Sequence, residues 1–197
     1  MKDSSAPLIL ASASPRRQEI LEAHGFSPVV IPSDVEEVLP EGELFTPEQT
    51  TIYLAELKAE SVLDSLDPGA WPDGCRILGV DTIVFKDRII GKPVDESDAL
   101  EILRSLKNDS HEVISGVCLI HAEPPRALSK QVFSDTTTVR FGDYSDEEIL
   151  AYIRANPPYD KSGSYAIQSD WGRHVLSVDG DIENVIGLPF LKLSEYI

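Results

Sequence analysis

The chain changes character near its middle, and this restricts the fold more than any other feature. Up to about residue 106, short apolar β runs alternate with helical periodicity: "LIL" at 8–10, a helix from Pro15, "PVVI" at 28–31, a helix from Pro47, and "RILGVDTIVF" at 76–85. Beyond it, "HEVISGVCLIHA" at 111–122 and "KQVFSDTTTVRF" at 130–141 are two long β runs around a Pro-containing turn. Strands separated by helices pair in parallel, whereas strands joined by a short turn pair antiparallel. One chain carrying both patterns is predicted to be an α/β protein with a mixed sheet and flanking helices.

Local signals set the helix boundaries. Ser14 is a good N-cap, Pro15 suits the first helical position, Ile20 and Leu21 face a core, and Gly25 ends the first helix. Thr46, Pro47 and Gln49 form a capping-box pattern, followed by Ile52, Ala55, Ala59, Val62 and Leu63 at helical spacing. "KDR" at 86–88 reads as a tight connection into "IIGKP", and residues 96–106 place Ala99, Leu100, Leu103 and Leu106 on one helical face. "SDEEILAYI" at 145–153 is a second capping-box helix, and "HVLSVDGD" at 174–181 reads as strand and turn. "SLDPGAWPDG" at 65–74 is a Pro/Gly-rich loop.

With 197 residues, 42% of them hydrophobic, the chain can bury a sizeable core, and residues 1–197 are expected to form one folded unit. Its net charge of −17 repels nucleic acid and anionic lipid over long range. Any anion site must therefore be built from local cations. No stretch approaches the length of an apolar membrane span, and "MKDSSAP" has no signal-peptide core, so a soluble cytoplasmic protein is expected. Cys75 and Cys118 lie far apart without metal-ligand spacing and read as ordinary reduced thiols.

Against this acidic background the isolated cations draw notice. Arg16 and Arg17 fall in the first turn of a helix, where the dipole favours anions and each cation costs about 0.3–1 kcal/mol unless compensated. Something negative is expected beside them. Lys58 reads either as a solvated position on an amphipathic helix or as another ligand-facing cation, while Lys92 and Lys161 adjoin turn residues where side chains can converge on a ligand. Asp81 interrupts an apolar strand; it is either held by backbone N–H groups at a bend or is a metal ligand or general base at the edge of a cleft. Glu36 and Glu37 read as a solvated acidic turn or, for one of them with Asp81, as oxygen ligands for Mg2+. Ser12 and Ser14 are better explained as turn and cap than as nucleophiles. There is no GxxxxGK[ST], GxGxxG or GxSxG. Phosphate chemistry by arginines, lysines and a carboxylate-bound metal remains.

The strings "LILASASPRRQEIL", "VEE", "LAELKA", "GVDTIVF", "GKPVDESDALEILRSL", "HEVISGV", "EEILAYI", "DKSGSYAIQ" and "NVIGLP", collinear from Leu8 to Pro189, resemble the Maf family of nucleoside triphosphate pyrophosphatases. The resemblance implies an elongated mixed sheet with two lobes around a central cleft, as in Maf and inosine-triphosphatase-like enzymes. It also implies metal-dependent hydrolysis of a nucleoside triphosphate to monophosphate and pyrophosphate. Asp81-Thr82 looks like the dTTP/UTP branch, whereas the 7-methyl-GTP branch typically carries Asp-Gln. By similarity Asp81 matches the catalytic proton acceptor, and Arg16, Thr82 and Gln168 match positions tied to substrate choice. Arg16 and Arg17, with Ser14 beside them, then suit a triphosphate; Lys58, Lys92 and Lys161 complete the cradle. Glu37 with Asp81 would hold Mg2+, Mn2+ or Co2+, and Thr82 and Gln168 would read a pyrimidine edge, CTP included. This chain has Ala166 and Ser169 where the family usually shows glycine. The implied partners are the nucleotide and, as is common in such proteins, a second copy in a homodimer. The alternatives are a 7-methyl-GTP pyrophosphatase and a non-catalytic nucleotide-binding regulator of cell division.

Overall fold

The computed structural model describes residues 6–40, 42, 44–71 and 73–197. Its elements are β1 (Leu8–Leu10), α1 (Pro15–Ala23), β2 (Val29–Val30), α2 (Pro47–Ser65), β3 (Cys75–Lys86) and β4 (Arg88–Ile90). They continue as α3 (Glu96–Leu106), β5 (Ser110–Glu123), β6 (Arg126–Phe141), α4 (Asp146–Ala155), β7 (Val175–Asp179), α5 (Ile182–Ile186) and α6 (Phe190–Leu193). The strands form one seven-stranded sheet in the order β2-β1-β3-β5-β6-β7, with β4 also on β3. β1 runs parallel to β2 and β3, and the remaining pairs are antiparallel. This is the mixed α/β architecture that the two halves of the sequence predict.

Both capping boxes form: Thr46 with Gln49 starts α2, and Ser145 with Glu148 starts α4. In α3 the buried face is Ala99, Ile102, Leu103 and Leu106, with Leu100 only partly buried at its margin. One 3-10 turn, Pro68–Ala70, sits inside the loop read from "SLDPGAWPDG". The short helices α5 and α6 have no periodicity to announce them, since each is a single turn or little more.

Strand β3 organises the site. On one edge it pairs with β1 only through Arg76–Leu78 and with β4 only through Val84–Lys86. Residues 79–83 therefore have no strand beside them on that edge, which is left open there. Helix α2 crosses one face at Gly79 and Gly116, where a Cβ would lie 2.1 Å from the Ala55 carbonyl oxygen and 2.2 Å from the Thr51 carbonyl carbon. Only glycine permits that approach. Ala55 and Ala59 of α2 pack on Ile9, Ile77 and Cys118 of the sheet. Leu10, Leu21, Leu78, Val80, Val117 and Leu188 pack on the opposite face. A third cluster, rich in aromatic side chains, joins α3, α4, Phe141, Tyr144, Tyr165 and Trp171 beyond the gap.

Candidate active site

Alternation along β3 sends Asp81 toward α2, in register with Gly116, and Thr82 toward the other face, in register with Ser115. Because the edge of β3 is open here, both reach the same cleft of about 590 Å³. Ten of the residues singled out in the sequence line it: Ser14, Arg16, Arg17, Glu37, Lys58, Asp81, Thr82, Lys92, Lys161 and Gln168. Four separate stretches of chain, besides β3 itself and α2, bring them there.

Lys58 is not a solvated helix residue. It is 9% exposed and its Nζ lies 2.6 Å from Asp81 Oδ1 and 3.0 Å from Glu37 Oε1. Asp81, 6% exposed, is held by this ammonium within a regular strand rather than by backbone N–H groups at a bend. Of the two neighbouring glutamates, Glu37 and not Glu36 is a cleft residue.

On the other side, Arg17 is tied inward. Its Nε donates to the Gly187 carbonyl at 2.9 Å, Nη1 to Ser12 Oγ at 2.9 Å and Nη2 to Thr82 Oγ1 at 3.1 Å. Burial pushes its pKa down to about 10, with Arg16 adding to the effect and Asp81 and Glu37 opposing it, so the guanidinium stays charged at neutral pH. Three of its five N–H groups are thereby used and two remain. Thr82 Oγ1 also shares a hydrogen bond with Ser115 Oγ at 2.9 Å and approaches the Gly187 carbonyl at 3.4 Å. Its hydroxyl is thus engaged by Arg17, Ser115 and the Gly187 segment.

Ser14 stands at the N-cap position of α1, but its side chain makes no capping hydrogen bond. Ser12 supplies the local acceptor instead, taking the Ser14 N–H at 3.2 Å as well as Arg17. Within the protein, the negative group beside Arg16 is Asp160, whose Oδ2 accepts from Arg16 Nη1 at 3.0 Å across 144 residues of chain. The loop bearing Lys161 is fixed by Gly163, whose φ of 72° suits glycine and whose N–H donates to the Gly91 carbonyl at 3.3 Å, next to Lys92. Gln168 lies within a tight turn: Ser169 Oγ donates to the Ala166 carbonyl at 2.6 Å, and the Ala166 N–H donates to Tyr152 Oη at 3.0 Å.

The family profile described as Maf-like protein matches residues 7–197. The chain belongs to the Maf family. The dTTP/UTP pyrophosphatase of Alkaliphilus metalliredigens is 42% identical to this Maf protein over 190 residues, spanning 96% of this chain and 94% of that one. That of Exiguobacterium sibiricum is 40% identical over 189 residues, with 95% and 89% covered. That of Syntrophotalea carbinolica is 40% identical over 197 residues, with 98% and 84% covered.

The roles of several residues in and beside the cleft of this Maf protein escape a sequence reading. Ser12, Ser115 and the Gly187 carbonyl matter only as partners of Arg17 and Thr82, and Asp160 only as the partner of Arg16 and Lys161. Serines and a carbonyl carry no motif; the one available signal was Asp160 beside Lys161 in "YDKSGSY". As for a metal, Glu37 and Asp81 each place an oxygen within 3.0 Å of one point, the Lys58 ammonium. Two carboxylates that converge on a positive charge fit Mg2+, which takes one or two carboxylates and completes its shell with phosphate and water. Among the described residues no group of three or more His, Cys, Asp or Glu could hold a metal without such help. No helix among them is long and apolar enough to cross a membrane.

Proposed function

We propose that this Maf protein hydrolyses nucleoside triphosphates, dTTP and UTP foremost, to the monophosphate and pyrophosphate. The observation that carries this is the convergence of five cations on one cleft, with three carboxylates among them, in a chain of net charge −17. The curated relatives named above bear that activity in their names, and Asp81-Thr82 keeps the residue pair that the resemblance ties to pyrimidine triphosphates. A 7-methyl-GTP substrate is disfavoured by Thr82, and a purely binding role by the retention of Asp81, Glu37 and the cations together.

The division of labour follows from the geometry. Lys58 holds Asp81 by Oδ1, which fixes the carboxylate and leaves Oδ2 to accept the proton of a water attacking the α-phosphorus. Asp81 and Glu37 are the residues that would hold a divalent cation, Mg2+ or in its place Mn2+ or Co2+. Such an ion lowers the pKa of a bound water and offsets charge on phosphate oxygens. The N-terminus of α1 offers the Arg16 and Arg17 backbone N–H groups to phosphate, along with the two unused donors of Arg17. Lys92 is exposed and has no ion-pair partner among the described residues, so its charge is available to the polyphosphate tail. Gln168, likewise exposed, can offer both amide groups to a base edge, and a polar reader of this kind rejects a mismatched base strongly. Thr82 acts on base choice by positioning Arg17 and the Gly187 segment.

The decisive experiment is pyrophosphate release with Mg2+ from dTTP, UTP, CTP, 7-methyl-GTP and the purine triphosphates, with Asp81→Asn alongside. Monophosphate and pyrophosphate from dTTP and UTP, lost in Asp81→Asn, is the expected result. Preference for 7-methyl-GTP, or turnover undiminished by Asp81→Asn, would overturn the branch or the role of Asp81 respectively.

A further inference from the structure

Three acidic residues line the cleft: Glu37, Asp81 and Asp160. The first two share Lys58, at the end where the chemistry is placed. Asp160 does not share Lys58 and divides itself between two other cations, Oδ2 to Arg16 Nη1 at 3.0 Å and Oδ1 to Lys161 Nζ at 2.5 Å. Both are cations assigned above to phosphate. Their exposures differ from that of the acid between them: the side chains of Arg16 and Lys161 are 24% and 19% exposed, that of Asp160 59%. The cations are walled in; the acid is free to turn toward water.

From this arrangement we propose that Asp160 is a counter-ion displaced by substrate, occupying the place on Arg16 and Lys161 that polyphosphate oxygens take during turnover and reclaiming it as pyrophosphate leaves. The proposal rests on the triphosphate pyrophosphatase reading. Arg16 and Lys161 repel each other, and Arg16 also sits where the α1 dipole disfavours a cation, so a local anion stabilises both. An exposed ion pair is weak enough for a multiply charged phosphate to outcompete a single carboxylate. Asp160 is ionised at neutral pH: partial burial works against its charge, but hydrogen bonds from Lys161 and Arg16 outweigh burial and hold its carboxyl below the ordinary range. Without it, two partly buried cations would retain the departing pyrophosphate.

The competing role, a clamp that orients Arg16 and Lys161 for phosphate, predicts the opposite sign. The test is calorimetric titration of inorganic pyrophosphate with Mg2+ into the wild type, Asp160→Asn, Asp160→Ser and Asp160→Glu, with pyrophosphate also assayed as a product inhibitor of dTTP hydrolysis. Both neutral variants should bind pyrophosphate roughly two- to fivefold more tightly, the worth of exposed ion pairs, and should lower KM for dTTP without raising kcat. Asp160→Glu should restore wild-type affinity. Unchanged or weaker pyrophosphate binding in both neutral variants, with the wild type active, overturns the displaced counter-ion alone. A wild type that releases no pyrophosphate from any triphosphate overturns the functional reading on which it rests.

Discussion

Lys58 and Asp81, one on a helix and the other on a strand, meet at 2.6 Å, each more than nine-tenths buried. Removing one partner of such a pair strands the other charge away from bulk water, which costs about 3–5 kcal/mol in a closed interior. The pair borders a cleft, so Lys58→Met should cost about 3 kcal/mol at most, read by urea denaturation. Asp81→Asn added to Lys58→Met should recover part of that loss, because the stranded carboxylate is then gone. Activity behaves differently. Each single variant should lose about 10²-fold or more in kcat, and the double variant should regain none of it.

The approach of α2 to the sheet makes Gly79 a second point of sensitivity. A methyl group there would sit 2.1 Å from the Ala55 carbonyl oxygen and 2.9 Å from the Ala59 Cβ. Gly79→Ala should force α2 outward, cost about 1–3 kcal/mol or more, and lengthen the Lys58–Asp81 contact. Thermal unfolding and kcat should fall together; a variant with wild-type melting temperature and kcat would show that α2 yields without moving Lys58.

Thr82 offers a test of positioning against direct reading. Thr82→Ser keeps the hydroxyl and should hold both kcat/KM and the preference for dTTP and UTP. Thr82→Val leaves the Arg17 Nη2 donor and the Ser115 hydroxyl short of a partner, a loss of about 1–3 kcal/mol. If Thr82 works through Arg17, Ser115→Ala should shift base preference in the same direction as Thr82→Val, although Ser115 does not line the cleft. Steady-state kinetics on dTTP, UTP and CTP provide the readout. An effect confined to Thr82 would favour direct contact with the base.

His111 ties stability to pH. Its ring is 2% exposed, its Nε2 lies 2.8 Å from Tyr165 Oη, and burial, helped by the charge of Lys86, pushes its pKa down to about 4. The unfolded chain protonates this ring near pH 6.5, before the folded protein does. The contribution is therefore complete above about pH 6.5 and is lost as pH falls toward 4, by about 3 kcal/mol in all. Carboxylates titrate in the lower part of this window too, so the comparison with His111→Gln is what isolates the ring. That variant should lose stability less steeply with acid between pH 6.5 and 4 in urea denaturation, and a parallel slope would mean that His111 titrates normally.

The helix starts, the long β5–β6 hairpin and the alternation of strand and helix before it were legible because their causes are local. Thr46 with Gln49 and Ser145 with Glu148 satisfy backbone donors within three residues, and β3 and β5 are near-continuous apolar runs that are buried along most of their length. The cluster of cations was legible too, since Arg16 and Arg17 contradict their helix position and a contradiction of local preference signals a constraint from elsewhere. Asp160 is that constraint within the protein, and no spacing rule reaches across 144 residues to find it.

The sequence by itself determined which residue types would be available for phosphate chemistry and on which elements they would lie. Tertiary structure decided which of them stayed available. Lys58 reads as a solvated helix position or a ligand until Gly79 and Gly116 let α2 down onto the sheet and bury it against Asp81. Thr82 reads as a free hydroxyl until Arg17, Ser115 and Gly187 are brought around it. The open edge of β3, left between a parallel β1 and an antiparallel β4, places two side chains of opposite faces in one cleft. Hydrogen-bond saturation and ion pairing are pairwise and long-range in sequence, so they are settled only when the chain has closed on itself.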